Sequence, residues 1–146
     1  MLLDVLSACA LITFISLSVF TANEHFNTTL KMNKVRTAAA IFAQDLRRLQ
    51  RYTMFQSSGT GLTIKTKNGT EYRVNQGLTV KRTVNFKDIG CDGVYFSKSL
   101  STGSFSATGT PAYTGDYELR HKELENFSCT LSLQPVTGRV IILEGQ

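Results

Sequence analysis

The stretch from Met1 to Ala22, MLLDVLSACALITFISLSVFTA, holds one ionisable side chain, Asp4, and neither glycine nor proline. As a helix rising about 1.5 Å per residue it would be roughly 33 Å long, enough to cross the hydrocarbon core of a bilayer. No other feature limits the possible folds as strongly. A cleaved secretory signal needs a basic region before its apolar stretch, and here the first cation is Lys31. The expectation is therefore a membrane helix in a mature chain, from which a short cytoplasmic leader preceding Met1 has been removed.

Nothing punctuates the sequence after that run until Gly59, and the two prolines stand far downstream at Pro111 and Pro135. Val35, Ala38, Phe42, Leu46, Leu49 and Thr53 recur at steps of three or four, the spacing of one helical face. One helix is predicted from Leu2 to Gln56, with residues 1–24 as the membrane part and 25–57 as an amphipathic part packed on a globular head. The head, 58–146, changes to a period of two. Leu62–Lys67 and Thr70–Asn75 flank Asn68-Gly69, a dipeptide suited to a two-residue hairpin turn. Leu78, Val80, Val84 and Phe86 continue the alternation, which would turn Arg82 inward and so marks a bulge or a strand end. Further strands are expected at Gly93–Phe96, Ser104–Ala107, Tyr117–Arg120, Ser128–Leu133 and Arg139–Leu143. The fold class is α+β: a long N-terminal helix of about 55 residues packed on a C-terminal antiparallel sheet domain.

Cys9 falls in the apolar helix, whereas Cys91 and Cys129 fall in the polar part. In an oxidising compartment a Cys91–Cys129 disulfide would close a loop of roughly 37 residues and stabilise the fold by about 3 to 4 kcal/mol; the alternative is two buried thiols. Together with His121 these cysteines resemble an incomplete zinc site, but no C-x-x-C spacing accompanies them, and no metal is expected. His25 and His121 lie far apart, and neither a nucleophile–base pair nor a glycine-rich phosphate loop is present, so no enzyme and no cofactor is expected.

A carboxylate in a membrane helix needs a partner or the polar boundary. Asp4 either sits at headgroup level, favoured by the positive end of the helix dipole, or pairs with the terminal amine of a neighbouring chain and sets the register of a polymer. Met1-Leu2-Leu3-Asp4-Val5-Leu6, followed by an unbroken apolar helix, resembles the mature start of type IV pilins and pseudopilins. The family carries its acidic residue, normally Glu, fifth; here Asp stands fourth. Phe42 to Tyr52, Gly103-Ser104-Phe105 and Thr137-Gly138-Arg139-Val140 are similar to minor pseudopilins of the H type and to D-type competence pseudopilins.

The resemblance implies a structural subunit that polymerises with copies of itself and with other pilins. It also implies processing and methylation at Met1 by a prepilin peptidase, residence in a bacterial inner membrane before assembly by dedicated machinery, and a final place in an extracellular or periplasmic filament.

Residues 31–87 contain twelve basic and two acidic side chains, and residues 88–146 four basic and seven acidic. Such halves complement one another between subunits of a filament. A basic surface including Lys65, Lys67, Arg73 and Lys81 could instead meet DNA phosphates; the resemblance to DNA-binding minor pilins of transformation systems adds Arg139. A merely solvated surface is the third reading.

Overall fold

In the computed structural model the described residues are 2–55, 61–100 and 102–145, with side chains described at position 6, position 7 and from position 9 onward. Helix α1 runs unbroken over Leu2–Phe55, as the absence of glycine and proline requires. Eight strands follow: β1 Leu62–Lys67, β2 Glu71–Gln76, β3 Thr79–Asn85, β4 Val94–Lys98, β5 Gly103–Ser104, β6 Asp116–His121, β7 Ser128–Leu133 and β8 Val140–Gly145. They form two antiparallel sheets, ordered β3-β2-β1-β5 and β4-β6-β7-β8. The class is thus α+β, as the change of period indicated. Of the loop expected over Ser57 to Gly61, only Gly61 is among the described residues, and it lies outside any strand.

The chain between β4 and β5 joins the two sheets. Phe96 N–H donates to the Gly69 carbonyl at 2.6 Å, Thr66 Oγ1 donates to the Leu100 carbonyl at 3.2 Å, and Ile64 pairs with Gly103. Leu100 and β5 thus lie beside β1, and β5 pairs with its Thr63 and Ile64 along an edge that would otherwise offer unpaired backbone groups to another strand.

Three details differ from the alternation read in the sequence. Asn68 and Gly69 do take left-handed φ values of 53° and 68°, but Lys67 faces Glu71, so Thr70 joins the turn and the loop has three residues. The Ser104–Ala107 strand is cut to Gly103–Ser104 and a single bridge from Phe105 to Pro111. Gly109, at φ 81°, turns the chain there, and the hydroxyls of Ser106, Thr108 and Thr110 bond one another within 3.2 Å. In β3, Val74 faces Arg82 while Asn75 faces Val80. Lys81 is thus the extra residue of a bulge, the irregularity that the alternation through Arg82 indicated, and the Arg82 side chain stays about half exposed.

The amphipathic half of α1 fills the core. Val35, Ala38, Phe42, Leu46 and Leu49 are fully buried and Thr53 nearly so, and the helix packs chiefly on β6, β7 and β8. Phe42 is the hub: its ring meets Tyr72, Phe96 and Tyr117 edge-on at centroid distances of 4.9, 5.1 and 4.8 Å, the favoured geometry for aromatic pairs.

Candidate functional site

The two halves of α1 have opposite surroundings. From Leu6 to Phe26 the large apolar side chains are exposed whichever way they point, Leu6, Ile12, Phe14, Leu17 and Phe20 each by 60% or more. A helix apolar on every side has no stable place in water and requires lipid or other apolar helices around it. This helix is long and apolar enough to span a membrane. Its hydroxyls do not spoil that surface, since Thr13, Ser16, Ser18 and Thr21 donate to carbonyls one turn back at 2.8 to 3.2 Å. Met1 and the side chain of Asp4 lie outside the described residues; position 4 itself is helical.

Where the helix enters the head, three cations reach three acidic residues of the C-terminal half. Lys31 pairs with Glu123 at 2.5 Å, Lys34 with Asp92 at 2.6 Å, and Arg36 with Glu144 in a two-pronged contact at 2.8 and 2.9 Å. The Arg36 guanidinium also lies over the Phe127 ring, 5.2 Å from its centroid. These contacts hold Asp92, Glu123 and Glu144 below the usual carboxylate range, mainly through hydrogen bonds from their partners. Three of the cations in residues 31–87 and three of the acids in residues 88–146 therefore pair within one chain. Exposed pairs add little to stability singly, and the seat of the head on the helix is set by the buried face from Val35 to Leu49.

His121 sits among these pairs, 6% exposed. Its Nδ1 accepts from the Glu123 N–H at 3.1 Å, and its ring fits only because position 93 is glycine: a Cβ there would stand 2.5 Å from Nε2. Burial lowers the His121 pKa from 6.5, Lys31 and Lys34 push the same way, and Glu123 opposes them. A histidine whose protonated form is disfavoured in the fold binds its proton more readily once unfolded. Its contribution to stability is full above pH 6.5 and is lost as the pH falls below that value, toward the depressed folded pKa. The expected result is a melting temperature that declines as the pH falls below 6.5, and a shallower decline in His121→Gln. Thermal melts of both proteins across that range are the check, and equal slopes would remove His121 as the cause.

The expected Cys91–Cys129 disulfide is not formed: both thiols are free and buried. Cys91 precedes β4 and Cys129 lies in β7, with β6 between those strands. Two strand spacings amount to about 9.6 Å, beyond the Cα separation that a disulfide bridges. Burial pushes the Cys129 thiol up to about 11 and raises Cys91 as well. His121 lies in β6 between these cysteines, yet among the described residues no three ligating side chains gather to hold a metal.

The five cations considered for DNA do not make one surface. Lys65, Lys67 and Arg73 share the outer face of the β1–β2 hairpin, Lys65 directly opposite Arg73. Glu71 lies on that face as well, 4.0 Å from Lys67 and 3.2 Å from Arg73. Lys81 belongs to the bulge of β3, and Arg139 stands just before β8, in the other sheet.

The sequence reading missed Asp45. Its charge on an otherwise ordinary helical stretch gave no signal, yet it is 7% exposed. It accepts from Tyr72 Oη at 2.7 Å and from Arg82 at 3.1 Å, with Arg48 at 4.0 Å. Burial, and then the bond to Asp45, raise the Tyr72 pKa, so that phenol stays a donor. The Arg82 guanidinium thus reaches Asp45 while its side chain stays about half exposed.

Compared with known proteins, the chain matches no family model, no curated protein and no solved structure.

Proposed function

We propose that this chain is a structural subunit of a type IV pilus or pseudopilus-like filament, held first in a bacterial inner membrane by α1 and later packed by it into the filament core. One observation carries the reading: a single 54-residue helix is apolar and uncovered on all sides in its first half and is the buried spine of a β-rich head in its second. Such a rod exchanges lipid for sister helices with little change in apolar exposure, so association rests on packing and on polar contacts rather than on water exclusion. The power for extraction then comes from assembly machinery outside the chain. The buried face of α1 holds each head at a set angle to its rod, which a repeating lattice needs.

Asp4 supplies register in this scheme, its carboxylate meeting the terminal amine of the next subunit. Asp4→Ala should enter the membrane normally and yield roughly tenfold or fewer filaments in the sheared surface fraction, because an unpaired amine then remains in an apolar core. Electron microscopy and quantification of that fraction test the idea, and normal filament yield from Asp4→Ala removes the pairing. Mass spectrometry of the N-terminal peptide tests the wider reading through processing and methylation at Met1. An unmodified terminus on dispersed single copies overturns it.

A further inference from the structure

Helix α1 carries an acid and three cations that its own chain cannot bring together. Glu24 stands just past the apolar run, exposed and without an ion pair among the described residues. In the second half of the helix the side left open by the sheets runs through Thr37, Ala40, Gln44, Arg47, Arg48 and Arg51, all exposed. Arg51 reaches no acid and donates to the Arg47 carbonyl at 3.5 Å, while Arg47 donates to the Val140 carbonyl at 3.2 Å. Arg48 stands 4.0 Å from Asp45, whose carboxylate already accepts from Tyr72 and Arg82. Three guanidinium groups thus crowd little more than one helical turn, where like charges repel.

We propose that Glu24 of one subunit pairs with the Arg47–Arg51 stripe of a second copy of this chain, an inference that rests on the filament reading. On the continuous helix Glu24 and Arg51 are about 40 Å and about 7.5 turns apart, so they point to opposite sides. They cannot meet within one molecule. A parallel neighbour shifted by about 40 Å along the axis brings the one against the other. Because the two surfaces differ and the contact includes an axial shift, it repeats from copy to copy without closing into a ring, as a filament requires. This stagger is far longer than the one in which Asp4 meets the next terminal amine, so the pair joins more distant neighbours of the same lattice. Other acids fit less well: Asp88 and Glu125, also without ion pairs, share their turns with the unpaired Lys87 and Lys122. The pairing also selects the stagger, since a rod shifted further would set the arginines against residues 5–22, which carry no acid.

Glu24→Arg should enter the membrane at the normal level and lower the sheared filament fraction roughly tenfold, since like charges then face one another at every repeat. Adding Arg51→Glu to it should recover roughly threefold of that loss. The heads of both variants should melt at the wild-type temperature, because both side chains are exposed. Contact is read directly by cross-linking. A full-length chain carrying Glu24→Cys, Arg51→Cys and Cys9→Ala, assembled and treated with a short bismaleimide, should give a ladder of covalent oligomers, and either new cysteine alone should give none. Cys91 and Cys129 are buried and stay out of the reaction. Normal filament yield from Glu24→Arg, or intact filaments without a ladder, overturns the pairing and leaves the filament reading standing. Absence of the wild-type chain from the sheared fraction overturns both. If Arg51→Glu assembles normally and instead loses salt-sensitive retention of the filaments on immobilised oligothymidine, the stripe belongs to a nucleic acid and the pairing is overturned.

Discussion

Phe42→Ala should cost the head about 3 to 5 kcal/mol, a large part of the total stability of an ordinary domain. The ring is fully buried and is the common neighbour of Tyr72, Phe96 and Tyr117. Those partners come from β2, β4 and β6, hence from both sheets, and removing the ring opens a void that no single strand movement can close. The melting temperature should fall by about 15 °C or more. Phe42→Leu keeps most of the volume and should cost about a third as much. Calorimetry of the two variants is decisive: similar losses would mean that the site collapses around the smaller side chain and that the ring is not the hub.

The second large effect is expected at Asp45. In Asp45→Leu the Tyr72 hydroxyl loses its acceptor inside the core, a loss of about 1 to 3 kcal/mol. Arg82, about half exposed on its side chain, can turn its guanidinium to water, so its release adds less. Tyr72→Phe removes the stranded hydroxyl, and the double variant should therefore recover a good part of what Asp45→Leu loses. A double-mutant cycle followed by denaturant unfolding measures this. A double variant as unstable as the sum of the two single ones would show that Asp45 and Tyr72 act independently, and the damage would have to be sought in the Arg82 contact or in helix packing.

Asp45 also shows where reading a sequence stops. A charge between Gln44 and Leu46, with Arg47 and Arg48 behind it, has the look of a solvated helix face, and only the placement of β2 and β3 over the helix turns it into an inner acceptor. The alternation in β3 marked Arg82 only as a bulge or a strand end, and nothing in the local pattern says that an acidic residue meets it or which one. The cysteines failed for a related reason: loop length gives the entropy of closing a bridge, but the strand order decides whether the two sulfurs can meet.

Charge followed the same division. The surplus of cations before Lys87 and of acids after it is visible by counting, yet counting cannot tell contacts within a chain from contacts between chains. Lys31, Lys34 and Arg36 find their acids in the same molecule because the helix passes beside β7, β8 and the turn before β4. Lys65 is distinguished from Lys67 and Arg73 only by the position of Glu71.

What the sequence alone determined was everything set by periodicity and backbone chemistry: a helix uninterrupted as far as Phe55, a first half apolar at every azimuth, a second half with one buried face, and an antiparallel domain whose strands begin and end near its glycines. These are local properties, fixed by neighbours three or four positions apart in the helix or two apart in a strand. Only the tertiary structure decided the partners of Asp45, the separation of Cys91 from Cys129, and the enclosure of His121 against Gly93. Each of these joins residues distant along the chain, and their meeting depends on strand order and register, which no local pattern encodes.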